Sequence, residues 1–293
     1  MGDLGRYQEL VVATQPADPL PVITAYNCAK PATPIAANVS WKADDGAVKW
    51  GEWRVRFGEN KLPILVIVAI VATTRTQLSL DIARDGDKLD AWSLSNAPIN
   101  ARFALNAGQF TDDGPWGWVM HRGREQQRPG TGALAGALIV DTAGRWSLVD
   151  ADEILKHRFS LSVREAVQSY PTLINRLGRI PPSLCAGSKD VDRTHRDTRL
   201  VVGTLSSGEL VIAMTRFDGL GETAERLPLG PTTPEMIEVM RALGATRALM
   251  LDGGLSAQLL IRTAGGLAHE WAGLRKVPLA LVGLPTPMPP PRN

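Results

Sequence analysis

Cysteine is scarce in this sequence: the 293 residues include only Cys28 and Cys185. The two lie far apart and form no Cys-x-x-Cys pair, which argues against a zinc site. In an oxidising compartment one long-range disulfide is expected, and two free buried thiols are the equal alternative.

A long apolar run and an N-terminal export signal are also absent. The longest apolar stretch, LPILVIVAIVATT at 62–74, is shorter than the roughly 20 residues that span a bilayer, and its Val and Ile favour a buried strand. Residues 1–21 lack a basic start, an apolar centre and a small-residue cleavage site. We therefore expect either a cytoplasmic protein or an exported one whose signal lies outside this sequence.

Neither basic nor acidic residues predominate: 32 basic and 30 acidic residues give a net charge of +2. The sequence has no basic run and no aromatic residues interleaved with basic ones, as a nucleic-acid groove requires. Nucleic acid is therefore not an expected partner. Hydrophobic residues make up 44% and charged residues 21% of the chain, which is typical of a globular protein with a sizeable core.

Short apolar runs bounded by Gly, Asp or Asn predict a strand-rich fold. The predicted strands are 53–57, 62–74, 77–83, 102–107, 136–141, 199–205, 209–215 and 247–252. Two segments have helical spacing, 162–177 and 232–244, and the second begins with a Thr232 and Glu235 capping box. We predict an α+β fold: a single domain with a large mixed, strongly curved β-sheet and a few flanking helices.

Proline marks both predicted ends of this domain. Pro and Ala recur without a period between residues 14 and 37, so residues 1–45 are predicted to form an irregular, unpacked N-terminal lead-in. Residues 285–293 form a Pro-rich tail. No repeat or linker interrupts residues 46–284, which we assign to the domain itself.

The segment RALMLDGGLSAQLLIR at 247–262 joins two apolar runs at Asp252, Gly253 and Gly254. Glycine supplies positive φ, so a hairpin or a bulge is the plain interpretation. Glycines also let a backbone approach a ligand closely, and an acid at a strand end can face a pocket. The pattern leaves a turn and a site both open.

Polar residues stand at the ends of other predicted strands: Asn106, Gly108, His195, Arg196, Arg199 and Arg216. Strand ends can converge at one rim of a sheet, where clefts form, so we expect these residues near Asp252. Glu235 is assigned to the helix cap. Four acids are predicted to be solvated loop residues, and to bind calcium only if a metal is found: Asp112, Asp113, Asp190 and Asp192.

Taken in order, the segments LNAGQF, RLVVG, GPTTPEMIEVMRALGA and LDGGLSAQL resemble the phosphodiester glycosidase family. This family includes the enzyme that removes N-acetylglucosamine to uncover mannose 6-phosphate. The resemblance covers residues 100–284, with a looser match at 53–83, and its most specific element is the Leu-Asp-Gly-Gly-Gly-Ser-Ser signature. Leu200, Leu255 and Ala257 depart from the family pattern of a hydroxyl residue, a third glycine and a second serine.

The resemblance implies hydrolysis between the anomeric carbon of a sugar and a phosphodiester oxygen. Such a reaction needs donors for the phosphate, an acceptor for water and polar groups for the sugar. We predict Arg199 as the phosphate clamp, with Arg216 or Arg196 as the second donor. Asp252 would be the carboxylate at the reacting centre and His195 a general acid, with a plain surface residue as the alternative for His195. The residues predicted to bind substrate or support the corner are Asn106, Gly108, Gly253, Gly254 and Ser256.

The resemblance also bears on cofactors, partners and location. No cofactor is certain, and a divalent calcium or magnesium ion remains open. A sugar phosphodiester or polysaccharide is the expected partner, in a secreted or periplasmic protein, with a cytoplasmic location as the alternative. Two other functions are left open: a non-catalytic carbohydrate-binding or envelope polysaccharide assembly protein on the same fold, and a serine hydrolase using Ser256 with His269. GLSAQ lacks the second glycine of a nucleophile elbow.

Overall fold

The computed structural model describes residues 20–85, 88–89, 91–186, 191–219 and 227–286. Within these ranges the helices are α1 (Ala151–Arg158), α2 (Pro182–Ala186) and α3 (Thr233–Ala242). The strands are β1 (Val22–Ile23), β2 (Ser40–Asp44), β3 (Val48–Phe57), β4 (Leu62–Val71), β5 (Thr76–Ile82), β6 (Arg84–Asp85), β7 (Lys88–Leu89), β8 (Phe103–Asn106), β9 (Phe110–Thr111), β10 (Gly114–Pro115), β11 (Val119–His121), β12 (Arg124–Gln127), β13 (Gly136–Asp141), β14 (Trp146–Asp150), β15 (Val163–Ser169), β16 (Thr172–Ile174), β17 (Leu200–Leu205), β18 (Leu210–Phe217), β19 (Ala245–Met250), β20 (Leu259–Arg262), β21 (Ala268–Trp271) and β22 (Leu279–Pro285).

Three sheets contain most of these strands. The largest has eight strands in the order β1-β3-β4-β18-β17-β19-β16, with β2 paired to β3. Its β1–β3 pair is parallel and its other pairs are antiparallel, so the sheet is mixed. Two five-stranded sheets have the orders β21-β20-β8-β22-β5 and β12-β11-β15-β13-β14. The strands curl into a half-barrel, which confirms the predicted α+β class with a curved mixed sheet and few helices.

Strand β4 explains the long apolar run in the sequence, because the strand is buried on both faces. Leu65 and Ile67 point into the core between the eight-stranded sheet and the sheet of β5, β8, β20 and β22. Ile64 and Val66 point to the other side, where the helix α3 packs. A strand covered on both faces has no need for polar residues at alternate positions.

The helix predicted at 232–244 is confirmed as α3. Thr232 is its N-cap, and the Thr232 amide donates to Glu235 Oε2 at 2.8 Å while Thr232 Oγ1 accepts from the Glu235 amide at 3.4 Å. Gly244, with φ of +80°, follows the last turn, and the chain enters β19 at once. Glu235 is the capping residue that the sequence predicted.

The helix predicted at 162–177 is wrong, since this segment forms β15 and β16. Strand β15 is central in its sheet, between β11 and β13, and nearly every side chain of it is buried. Burial on both faces removes the two-residue alternation that identifies a strand, and the remaining apolar spacing resembles a helical stripe. The Tyr170–Pro171 peptide bond, which is cis, separates the two strands.

The N-terminal segment, predicted to be irregular and unpacked, packs against the domain and adds β1 and β2 to the eight-stranded sheet. Ile23 is buried, the Tyr26 amide donates to the Pro234 carbonyl and the Ala37 amide to the Ala242 carbonyl. Cys28 and Cys185 form a disulfide, which resolves the choice between a bridge and free thiols. Residues 1–19 of the predicted lead-in and residues 287–293 of the predicted tail lie outside the described residues. The described ranges contain no helix long and apolar enough to cross a membrane.

Candidate active site

The corner at Asp252 lies in a cleft at one end of the eight-stranded sheet. Because β17 and β19 are antiparallel, the residues before β17 meet the residues after β19. The Leu251 amide donates to the Leu200 carbonyl at 2.8 Å, and the Gly254 amide to the Thr198 carbonyl at 2.8 Å. The resulting cleft has a volume of about 270 Å³, and its polar lining includes Gln109, Tyr170, His195, Asp197, Arg199 and Asp252.

Asp252 is only partly exposed, and its surroundings act on its charge in opposite directions. Burial raises the pKa of the Asp252 carboxyl, and the negative charge of Asp197 raises it further. A hydrogen bond from Ser256 and the positive charge of Arg275 lower the same pKa. Raised pKa values of carboxyl groups in clefts are typical of groups that exchange protons.

Asp197 is the cleft carboxylate that sequence reasoning missed. Burial raises the pKa of Asp197, and the nearby Arg199 opposes that rise. Asp197 Oδ1 accepts from the Thr198 amide at 2.8 Å. The signal was present in the segment HRDTR, where an acid stands among the polar residues just before β17, but only the basic residues were selected.

His195 and Asp197 form a pair at the mouth of the cleft. His195 Nε2 lies 3.6 Å from Asp197 Oδ2, and the imidazole is 61% exposed. The ring therefore lies on the solvent side of the Asp197 carboxylate. Asp192, which is exposed, shapes the preceding turn by accepting from the amides of Thr194 and His195.

Arg199 lies in the cleft with two of its donors already engaged. Its Nε donates to the Pro231 carbonyl at 3.1 Å, and one Nη2 hydrogen donates to the His195 carbonyl at 2.6 Å. Burial lowers the pKa of Arg199, while Asp197 and Asp192 raise it. A guanidinium carries five N–H donors and stays charged in proteins. No hydrogen bond from Arg199 Nη1 to the described residues is found, so Nη1 can donate to an anion in the cleft.

Asn106 lies directly behind the corner and not in the cleft lining. Its side chain is fully buried; Nδ2 donates to the Asp252 carbonyl at 2.8 Å and Oδ1 accepts from the Gln258 amide at 2.9 Å. Both ends of the amide are therefore committed to the backbone that carries Asp252. We interpret Asn106 as a residue that positions Asp252.

Arg196 and Arg216 likewise lie outside the cleft lining. Arg196 donates from both Nη atoms to the Glu235 carboxylate, at 2.8 and 2.9 Å. Arg216 is buried, and its Nη2 donates to the carbonyls of Ala257, Trp271 and Ala272 at distances from 2.8 to 3.2 Å. Arg196 thus binds to α3, and Arg216 binds to the chain just before β20 and at the end of β21. Of the three arginines predicted to hold phosphate, the structure brings Arg199 alone into the cleft.

The glycines of the corner are needed for close packing. A Cβ at Gly254, where φ is +57°, would lie 2.9 Å from Asp197 Oδ2, and a Cβ at Gly253 would overlap the Thr198 carbonyl oxygen. The Gly254 amide donates to the Thr198 carbonyl, so this donor is engaged within the protein. Gly253 lines the cleft, and its amide lowers the pKa of the Asp252 carboxyl. Ser256 is buried beneath the corner and bonds the Asp252 carboxyl.

Gln109 is a second residue that sequence reasoning missed. Its Nε2 donates to the Tyr170 carbonyl at 2.6 Å, and its Oε1 accepts from the Tyr170 amide at 3.1 Å and from Ser169 Oγ at 2.8 Å. Gly108, with φ of +65°, allows the approach, since a Cβ there would lie 3.0 Å from the Gln168 carbonyl oxygen. The LNAGQF segment thus fixes Asp252 through Asn106 and Tyr170 through Gln109.

One acidic group in the described residues has the spacing of a metal site: Asp150, Asp152 and Glu153. These residues lie at the start of α1, outside the cleft. Arg176 lies 3.7 to 3.9 Å from all three, so one guanidinium offsets part of their negative charge. Asp112 and Asp113 are exposed, as predicted, and Asp190 lies outside the described residues.

Two solved structures share the fold of this chain. The chain superimposes on the catalytic domain of zebrafish N-acetylglucosamine-1-phosphodiester alpha-N-acetylglucosaminidase, auto-inhibited by its pro-peptide, with a TM-score of 0.61 and 14% identity, over 85% of this chain and 86% of that one. A hypothetical protein from Synechocystis gives a TM-score of 0.56 and 14% identity over 86% of this chain, which spans 64% of that protein.

Sequence comparison supplies the family. A search of curated proteins gives no significant match. The sequence model of the phosphodiester glycosidase family matches residues 100–282, a range that contains Asn106, Arg199, Asp252 and the other cleft residues. The chain belongs to the phosphodiester glycosidase family.

Proposed function

We propose that this protein hydrolyses the bond between the anomeric carbon of a sugar and a phosphodiester oxygen. The observation that supports this most is the pairing of Asp252 and Asp197 with Arg199 in one cleft. Two carboxyl groups beside one guanidinium fit a substrate with a reacting sugar carbon and an adjacent anion. Family membership supports the same reaction class.

The phosphate group is assigned to Arg199. A partly buried guanidinium binds a phosphate oxygen through charge-assisted hydrogen bonds, which are stronger than neutral ones. The carbonyls of Pro231 and His195 hold its Nε and Nη2 and so orient the group before substrate arrives. The carboxylate of Asp197 limits how much extra negative charge the cleft accepts, which favours a diester with one charge over a monoester with two.

The proton chemistry is assigned to Asp252. Water attacks the anomeric carbon, one water proton passes to the Asp252 carboxylate, and the bond from carbon to the phosphodiester oxygen breaks. The bonding electrons leave with the phosphate oxygen, so the products are a free sugar and a phosphomonoester. Because the departing phosphomonoester is a good leaving group, Asp197 and His195 need only supply a proton late in the reaction, and a strong general acid is unnecessary.

The site of action follows from the bond between Cys28 and Cys185. Disulfides persist in oxidising compartments and are rare in the reducing cytosol. We therefore assign the protein to a secreted or periplasmic location, where glycans and envelope glycoconjugates are accessible substrates. Calcium or magnesium is not assigned a role in the cleft, since the acidic group with metal spacing lies on α1.

A panel of sugar-1-phosphodiesters tests this proposal, assayed with and without EDTA and followed by mass spectrometry of both products. We expect turnover that Asp252→Asn lowers by about 10²- to 10⁴-fold, the usual weight of a proton-transfer group. Arg199→Gln should lower it by about 10²- to 10³-fold, the usual weight of a donor that stabilises developing charge. Asp44→Asn and Arg145→Gln, at exposed positions, are the matched controls and should keep parental rates. Binding of a diester without turnover would support the non-catalytic carbohydrate-binding alternative instead.

A further inference from the structure

A second pocket adjoins the cleft, and the two share Tyr170 in their linings. It has a volume of about 310 Å³ and is lined by Trp116, Thr131, Gly132, Leu134, Ala135 and Tyr170. Small-molecule sites measure about 300–1,000 Å³. The cleft alone falls just below that range, and the two spaces together fall inside it, which suits a ligand that extends from one into the other.

Two aromatic rings form a corner in this second pocket. The ring centroids of Trp116 and Tyr170 are 4.9 Å apart and the ring planes meet at 69°. Both side chains are partly exposed. Aromatic faces that remain open to solvent next to a polar cleft are suited to stack against the apolar face of a ring in a ligand.

The corner is held rigidly by its surroundings. The backbone carbonyl of Gln109 accepts a hydrogen bond from the Trp116 amide at 2.8 Å. The Gln109 side chain forms hydrogen bonds with both the amide and the carbonyl of Tyr170. Gly130 lies beneath the indole, because a Cβ there would be 2.9 Å from Trp116 Cζ2. A fixed pair of rings loses little conformational entropy when a ligand binds.

The walls of the pocket indicate which part of the substrate it takes. Thr131 provides the single side-chain hydroxyl apart from Tyr170, and the other lining residues are apolar or glycine. A sugar that develops oxocarbenium character needs hydrogen bonds to its hydroxyl groups. The polar side chains that can form such bonds line the cleft and not the second pocket. The aromatic corner therefore suits the leaving group on the other side of the phosphate.

We propose that Trp116 and Tyr170 form a subsite that selects substrates whose phosphate is esterified to a ring-bearing alcohol over those with an open-chain alcohol. This inference rests on the proposed function, which it makes more specific. The ring lies against the indole and the phenol while the phosphate contacts Arg199. Open-chain alcohols such as glycerol have no flat apolar face to stack.

Two diesters with the same sugar and different alcohols test the subsite, one carrying a ring alcohol and one glycerol. We expect kcat/KM to favour the ring alcohol by about tenfold, equivalent to 1.4 kcal/mol, and Trp116→Ala to remove this preference by slowing the ring substrate alone. Trp116→Phe and Tyr170→Phe keep an aromatic ring, so each variant should retain most of the preference for the ring alcohol. Trp41→Ala, an exposed tryptophan on β2, is the control for loss of an indole.

A second variant guards against misfolding at position 116. Gly130→Ala keeps the indole but forces it to move, and should weaken the preference with the fold intact by circular dichroism. Binding of the two phosphomonoester products by calorimetry gives a readout that needs no turnover, with the same expected preference for the ring.

The outcomes separate the two proposals. Equal rates on both diesters, unchanged by Trp116→Ala, would overturn the subsite and leave the hydrolase standing. Absence of turnover, with ring-selective binding that Trp116→Ala abolishes, would overturn the hydrolase and support the subsite. If the protein shows neither turnover nor binding, both proposals are overturned.

Discussion

The carboxylate of Asp197 packs directly against the α-carbon of Gly254, so that a Cβ at position 254 would lie 2.9 Å from Asp197 Oδ2. The acid comes from the segment before β17 and the glycine from the corner after β19. This contact places Asp197, which the sequence analysis did not select, against the Asp252-Gly253-Gly254 corner, which it did. It makes Gly254 a requirement of the site as well as of the turn.

We predict that Gly254→Ala reduces both stability and activity, because the new methyl group displaces Asp197. The matched control is Gly208→Ala: Gly208 also has positive φ, at +86°, but no heavy atom lies within 4 Å of its Cβ position. Each variant should lose about 1–2 kcal/mol of unfolding free energy from the left-handed backbone alone. Only Gly254→Ala should also lose kcat/KM, and equal activity in the two variants would argue against a role for this contact.

The pKa of Asp252 should respond in opposite directions to two neighbouring charges. Asp197 raises that pKa and Arg275 lowers it, so Asp197→Asn should lower the pKa and Arg275→Gln should raise it. The acidic limb of the kcat/KM profile reports this group in the free enzyme. A carbon-13 NMR titration of the Asp252 carboxyl checks the shift without activity, and shifts of the same sign in both variants would refute the assignment.

Ionisation of Asp252 should cost stability. Burial raises its pKa in the folded state above the unfolded value of about 3.9. The folded protein therefore holds this proton more tightly, and stability falls as the pH rises from the unfolded pKa through the folded one. Asp252→Asn should raise Tm at pH 8 and give little gain at pH 3.5. Asp44→Asn corrects for loss of a surface charge, and a gain that does not depend on pH would contradict this account.

The disulfide should stabilise the region next to the cleft. It ties Cys28 in the N-terminal segment to Cys185 in α2, and the Cys185 carbonyl accepts from Arg193, two residues before His195. The double variant Cys28→Ser, Cys185→Ser should lose about 2–5 kcal/mol, the usual cost of removing a native disulfide. Dithiothreitol should lower Tm of the parent and leave the double variant unchanged. An unaffected parent Tm would mean that the bridge has no such role.

The sequence predicted eight of the 22 described strands and the one well-capped helix, because their signals are local. The apolar runs bounded by Gly, Asp or Asn match β3, β4, β5, β8, β13, β17, β18 and β19. The capping box at Thr232 identified α3. The segment 162–177 failed because its periodicity reflects burial in the centre of a sheet, a property that only the assembled fold supplies.

The candidate site was predicted in part, for a similar reason. Asp252 and Arg199 stand in motifs that mark strand ends, and antiparallel pairing brings those ends together. Asn106, Arg196 and Arg216 are residue types that often bind ligands. In this fold Asn106 holds the Asp252 carbonyl, Arg196 pairs with Glu235, and Arg216 binds backbone carbonyls, the first at Ala257. Gln109 could not be found from local pattern, because its role depends on contacts with Ser169 and Tyr170, which are distant in sequence. Asp197 stands in the local segment HRDTR, but its place beside the corner depends on the pairing of β17 with β19.

Hydrolysis of a sugar-1-phosphodiester in oxygen-18 water tests the central claim most directly. Attack at the anomeric carbon places the heavy oxygen in the released sugar and none in the phosphomonoester, and Asp252→Asn should abolish that release. Heavy oxygen found in the phosphomonoester would mean attack at phosphorus, and would contradict the assignment of Asp252 and Arg199 to a phosphodiester glycosidase reaction.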